Sequence, residues 1–240
     1  MPRTFHILLL TLIGVGIGPA MPAGADVNPG PKILLHVGQA TTKNPCSGSI
    51  PACCVNAVPY GRTNVGYLLY VLAAPSDSMW MTGDGIAGIQ FGIGYEGQYF
   101  PGGTGSLTCV FSWTLCATLE FPTPSPAWPE PGSGTIITWD LVNNCQTNPV
   151  AVAGYFYMTA YSTGSFRVNE RWVDHAAKMV SCQLVEREIG YRLLHSEDLA
   201  RADFTSTGIG YTDGNPCLPP CPVVPVIPAT WSRIKGHVGR

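Results

Sequence analysis

The chain has 240 residues, nine of them cysteine, and a formal net charge of −2. Only 12% of its residues are charged while glycine numbers 28 and proline 22, a composition common in extracellular β-proteins. No Lys or Arg lies between Thr63 and Phe166, so that half cannot neutralise phosphates, which excludes nucleic acid as its partner.

Arg3 gives a short positive region, Phe5 to Ile17 is almost wholly apolar, and Ala23-Gly24-Ala25 offers an A-x-A cleavage site. This is the layout of a secretory signal peptide over residues 1–25, with Asp26 as the mature N-terminus. The apolar run falls short of the ~20 residues that span a bilayer, so no transmembrane span is expected. An exported chain uses cysteine for disulfides, and the candidates are Cys46, Cys53, Cys54, Cys109, Cys116, Cys145, Cys182, Cys217 and Cys221. There is no C-x-x-C pair and no histidine at zinc-finger spacing, so no metal or other cofactor is expected. An odd number leaves at least one thiol unpaired within the chain.

Lys32 to Val37 reads as an edge strand, and Lys43 to Tyr60 as a disulfide-tied loop in which Cys46 pairs with Cys53 or Cys54. Asn64 to Ala74 is apolar throughout; its Tyr and Val content and the stop at Pro75 favour a buried strand over a helix. From Gly85 to Tyr99 the residues Ile89, Phe91, Ile93 and Tyr95 alternate with Gln90, Gly92 and Gly94, the period of a strand with one face on a core. Gly92 and Gly94 leave its other face nearly bare, which implies close cover by another segment.

Leu107 to Ala117 alternates with Cys109, Phe111, Trp113 and Leu115 directed at the core, Val110 outward, and Cys116 outward within reach of Cys145. Five prolines from Pro122 to Pro131 predict an extended, polyproline-like loop with Trp128 near its tip. Thr135 to Val142 and Ala151 to Tyr161 alternate again. In the second, Val152, Phe156, Met158 and Ala160 suit the core, and Tyr155, Tyr157 and Tyr161 take the opposite face. Lys178 to Glu186 reads as a last strand, and Ser196 to Ala200 as the start of a short helix. Six prolines over 216–228 form a stiff linker before a basic tail, 229–240. The expected organisation is an antiparallel β-sandwich over 26–190, an extension packed on it over 191–215, then linker and tail.

Two resemblances follow from these motifs. Gly88-Ile89-Gln90-Phe91-Gly92-Ile93-Gly94-Tyr95 and Gly154-Tyr155-Phe156-Tyr157-Met158-Thr159-Ala160-Tyr161 resemble strands of cohesin-type bacterial β-sandwiches. That likeness implies a cohesin/Ig-like fold over about Ile33 to Val185 and carries no dockerin-binding face to this chain. The layout also resembles a group of uncharacterised exported bacterial proteins. Its marks are Leu35-His36-Val37, Thr41 to Cys46, the Cys/Pro linker and the tail Thr230-Trp231-Ser232-Arg233-Ile234-Lys235. Such a tail resembles a surface-attachment signal, and the group brings no activity with it.

For catalysis the residues offer little. There is no G-x-S-x-G elbow for a hydrolytic serine, and His195 and His175 stand beside acids in solvated runs. A calcium site from Asp77, Asp84 or Asp213 lacks an Asp-x-Asp-x-Asp loop. A polysaccharide hydrolase needs two carboxyls about 5 to 9 Å apart, with Glu96 and Asp140 preferred among Glu96, Glu120, Glu130 and Asp140. The stronger signal is aromatic. Tyr155, Tyr157 and Tyr161 on one strand face, with Trp80, Tyr99 and Trp128 in or near loops, suit stacking platforms for an extracellular glycan or protein partner. The competing expectation is that Arg167 to Phe204 folds back over the tyrosines. The sequence therefore points to a non-enzymatic secreted or cell-surface binding protein, with a secreted hydrolase as the alternative.

Overall fold

A computed structural model describes residues 30–41, 45–47, 50–51, 56–75, 85–96, 108–189, 199–210 and 215. The signal peptide, Trp80, Tyr99, Cys53, Cys54, Cys217, Cys221, the predicted helix start at Ser196, the linker and the tail lie outside them. The described residues form a β-sandwich of twelve strands: β1 Lys32–Gln39, β2 Tyr60–Arg62, β3 Gly66–Ala74, β4 Ile86–Tyr95, β5 Thr108–Leu115, β6 Leu119–Pro122, β7 Gly134–Thr138, β8 Ala151–Ala160, β9 Gly164–Asn169, β10 Ala177–Ser181, β11 Glu186–Ile189 and β12 Arg201–Thr205. The small sheet runs β1-β3-β8-β5. The large sheet runs β11-β10-β4-β9-β12-β2, with β7 and then β6 added beside β4. All described pairs are antiparallel except β12 with β2.

The core lies between the sheets. Leu69, Val71 and Ala73 of β3 and Phe156, Met158 and Ala160 of β8 meet Ile89, Phe91 and Ile93 of β4 and Phe166, Ala202 and Phe204 across the gap. Each fully buried Leu, Ile, Val, Phe or Met among them contributes roughly 1.5–3 kcal/mol of transfer free energy. The continuous apolar run of β3 has a separate cause. Its alternate residues Leu68, Tyr70, Leu72 and Ala74 form a second buried cluster with Leu34 on the outer side of the sheet, so both faces exclude water.

Strand β4 is the axis of the large sheet. Gly88, Ile89 and Gln90 pair with both β10 and β7, and Gly92 with both β7 and β9, so β10 and β9 share one edge of β4 in succession. Between them the chain makes an excursion at Glu170–Ala176, closed by an antiparallel bridge between Arg171 and Ala176. The excursion crosses Gly92: a Cβ there would meet the Glu170 carbonyl oxygen and Arg171 Cα. The cover expected over the bare face of β4 is therefore this segment.

Two bulges correct the predicted faces. Between Val110 and Ser112 the β5–β8 register shifts, which leaves Phe111 as an extra residue. Val110 then packs on the core with Trp113 and Leu115, while Phe111 turns outward, 53% exposed. In β8 the partners of Val71 and Leu72 are Gly154 and Val152, so Ala153 is the extra residue. Ala151 and Ala153 face the core and Val152 the outer cluster, reversing the inward placement of Val152.

The disulfides also differ from expectation. Cys46 bonds Cys116 and Cys145 bonds Cys182; Cys109 is a free thiol. Cys116 lies at the end of β5 beside the turn at Pro45–Ser47, and Cys145 lies over Gly85, whose φ of +58° suits glycine. The proline loop is not an extended arm. Pro122 ends the edge strand β6, and turns through Gly132 fold Trp128 inward.

The free edge of β1 is closed by three segments. Ala200 donates to the Ile33 carbonyl at 3.1 Å and Val37 donates to the Val58 carbonyl at 2.7 Å. Between them the Asn215 side chain accepts from the Leu35 N–H at 2.9 Å and donates to the Leu35 carbonyl at 2.8 Å. Ile33 also bridges Leu199 in parallel, so the seam joins the small sheet to the approach of β12. An edge with its amides occupied cannot template pairing with another chain.

Candidate functional site

The outer face of the small sheet carries the predicted tyrosines. Register aligns His36, Tyr70, Tyr155 and Thr114 across all four strands, with Gly38, Leu68, Tyr157 and Ser112 in the next row. Ring centroids step from His36 to Tyr70 at 6.0 Å and from Tyr70 to Tyr155 at 5.7 Å; Tyr157 meets Phe111 at 5.3 Å. One end of this face is covered, since Ile50, Val150 and Val152 pack over Leu34 and Leu72. The other end is open. Tyr157, beside Phe111, is 41% exposed and Tyr161 48%, while Tyr155 is half-buried.

Of the aromatic candidates, the structure brings Tyr155 and Tyr157 onto one face and sets Tyr161 just past the end of β8. Trp128 does not join them. It packs on Phe91, Trp113 and Phe156 at centroid distances of 5.8, 5.3 and 5.6 Å, plugging one end of the sandwich core. Burying so large an apolar ring outweighs the extended preference of the surrounding prolines. The strands that the described residues of Arg167 to Phe204 form, β9 to β12, all lie in the large sheet and not over the tyrosines.

The carboxylates preferred for a hydrolase are separated. Asp140 follows Trp139, whose N–H bonds Ala87 at the start of β4, and Glu96 follows Tyr95 at its far end. At ~3.3 Å per residue the ten-residue strand sets them roughly 30 Å apart, beyond any glycosidase pair. Asp140 instead builds its own turn. It accepts from the Asn143 side chain and from the backbone N–H groups of Asn143 and Val142, and these bonds hold its carboxyl below the usual range. Glu120 is half-buried, which pushes its carboxyl up despite a bond donated by the Thr135 hydroxyl. Among the described residues no three metal-type ligands converge and no helix is long and apolar enough to cross a membrane.

A second site was not chosen from the sequence. It is a groove of about 970 Å³ on the outer side of the large sheet, lined by Arg167, Arg201, Asn169, Glu170, Trp172 and His175. Trp172 stands on the Glu170–Ala176 excursion at 62% exposure, edge-on to His175 at 5.4 Å. The excursion is braced by Arg171 to Asp174 at 3.0 Å and by the Arg171 N–H to the Ala176 carbonyl at 2.9 Å. A tryptophan in a charged run without apolar periodicity, Glu-Arg-Trp-Val-Asp-His, was the available signal.

No protein-family model and no curated protein matches this sequence. Among solved structures the chain is similar to the cohesin module of a Clostridium perfringens family 33 glycoside hydrolase, at 8% identity and TM-score 0.38, over 60% of this chain and 89% of that one. It is similar also to the sixth cohesin of Acetivibrio cellulolyticus scaffoldin B, solved in complex with a Cel5 dockerin, at 8% identity and TM-score 0.38, over 65% and 90%. At that identity the likeness carries no residue and no partner from those modules to this chain.

Proposed function

We propose that this chain is a non-enzymatic binding module of the cell exterior that holds a protein partner on the open end of its small sheet. The observation that carries this reading is the outward turn of Phe111 at the β5 bulge, which sets it beside exposed Tyr157. Two large rings presented on a regular sheet lose little side-chain freedom on binding and match the aromatic anchors of protein interfaces. The face carries no Lys or Arg from β3, β5 or β8, so no charged side chain from those strands must be stripped of water when a partner docks. Disulfides suit an oxidising compartment. The separation of Glu96 from Asp140 removes the pair on which the hydrolase alternative rested.

The test is a cross-linked pull-down of the oxidised mature chain from exterior fractions of its source, run beside F111S/Y157S. The expected result is a discrete partner captured by the native chain and lost from the double variant at an unchanged melting temperature. Capture that ignores both substitutions overturns the reading. A glycan array on the same two proteins decides for a glycan if binding there follows the two rings.

A further inference from the structure

We propose that the groove across Arg167 and Arg201 binds an acidic saccharide, its carboxylate taken by the two guanidinium groups and a sugar ring lying on Trp172. Arg167 of β9 and Arg201 of β12 are direct cross-strand partners on the solvent side of the large sheet. Arg201 is already paired with Asp203, so an added anion would gain bonds to the guanidinium N–H groups that remain rather than relieve an uncompensated repulsion. Each arginine is held through one atom only: Arg167 Nε donates to Ser165 Oγ at 3.3 Å and Arg201 Nε to Asp203 Oδ1 at 2.7 Å. Their terminal N–H groups have no partner among the described residues, and a planar fork of such donors matches a carboxylate.

Three further observations point to a sugar rather than a simple anion. Arg167 and Arg201 line both the 970 Å³ groove and an adjoining one of about 440 Å³, so a ligand bound to them has room to continue on either side. In the second groove Asp203 is 5% exposed, and its Oδ2 has no hydrogen-bond partner among the described residues although it is buried. An orphaned buried acceptor needs a donor, and a hydroxyl supplies one. On the other side, exposed Trp172 with Pro126 and Leu199 offers apolar surface to the carbon face of a pyranose ring. A polyphosphate fits poorly: the two arginines shared by the grooves face Glu170 in one and both Glu96 and Asp203 in the other.

Calorimetric titration of the mature chain with oligogalacturonate, oligoglucuronate and alginate oligosaccharides tests the site. Neutral oligomers of galactose and glucose and a glutamate-rich peptide are the comparators. We expect at least one uronate oligomer to bind about tenfold or more tightly than its neutral counterpart, since charge-assisted bonds are worth at least that. R167Q should lose about tenfold toward the acid and little toward the neutral sugar, and W172A should weaken both. Arg201 also neutralises buried Asp203, so its substitution endangers folding; R201K keeps that charge while losing the fork, and its melting curve separates the two effects. No binding of any uronate, equal affinity for neutral sugars, an unaffected R167Q, or preference for the peptide overturns the proposal. F111S/Y157S should bind uronate normally, so this site stands or falls apart from the aromatic face.

Discussion

The outer faces of the two sheets differ in charge, and the difference follows the order of the chain. Strands β3, β5 and β8 of the small sheet come from the stretch without Lys or Arg. After β8 the chain crosses over, and β9 to β12, which bring back the cations, all join the large sheet. A gap in the sequence thus becomes an aromatic face to which β3, β5 and β8 bring no Lys or Arg on one side and an arginine-bearing groove on the other. The two surfaces favour different partners: one can be dried without stripping charges, while the other holds guanidinium groups in reach of an anion.

Trp128 is the element on which both faces depend, because it packs on Trp113 and Phe156 of the small sheet and Phe91 of the large one. Trp128→Ala should cost about 3 kcal/mol or more through lost transfer energy and the cavity left behind, read as a lower midpoint in urea unfolding. An effect below 1 kcal/mol would show that the plug is dispensable and the two faces are held independently. A smaller loss is expected at the seam. Asn215→Leu strands the N–H and C=O of Leu35 in a buried setting, at about 2 kcal/mol, with faster hydrogen exchange at Leu35 as its local signature.

The strands were largely legible because their alternation survives in single segments: Ile89, Phe91 and Ile93 are core residues as their spacing implies. Bulges were not legible. One added residue reverses every side chain beyond it, and nothing in Cys109-Val110-Phe111-Ser112 marks where β8 skips a partner. That reversal decides the candidate face, since it moves Phe111 from core to surface. The groove escaped for another reason. Arg167 and Arg201 are far apart in sequence, and only the β9–β12 register sets them side by side. Trp128 and the disulfides misled because proline content and cysteine proximity describe local chain, while ring burial and sulfur pairing are decided by distant strands.

The smallest expected effect separates the faces by pH. His36 lies beside Tyr70 on the aromatic side, and its Nδ1 accepts from the Val58 N–H at 3.0 Å. Burial lowers its pKa below 6.5, so the unfolded chain takes up a proton there before the folded one does. Stability is then full above about pH 6.5 and falls as pH drops below that value, continuing until the folded histidine also titrates. A proton on Nδ1 also removes the acceptor that Val58 uses. On the large sheet Glu120 has the opposite sign. Its carboxyl is raised by burial from 4.5, so between that value and its folded pKa the native state holds more protons, and stability rises as pH falls. Unfolding midpoints at a series of pH values should therefore lose their acid-side decline near pH 6.5 in His36→Gln, which cannot protonate in this range. In Glu120→Gln the same decline should steepen, because the opposing contribution is gone. A native chain whose stability is level from neutrality down to about pH 5, with His36→Gln identical to it, would mean that the burial of His36 is not coupled to folding.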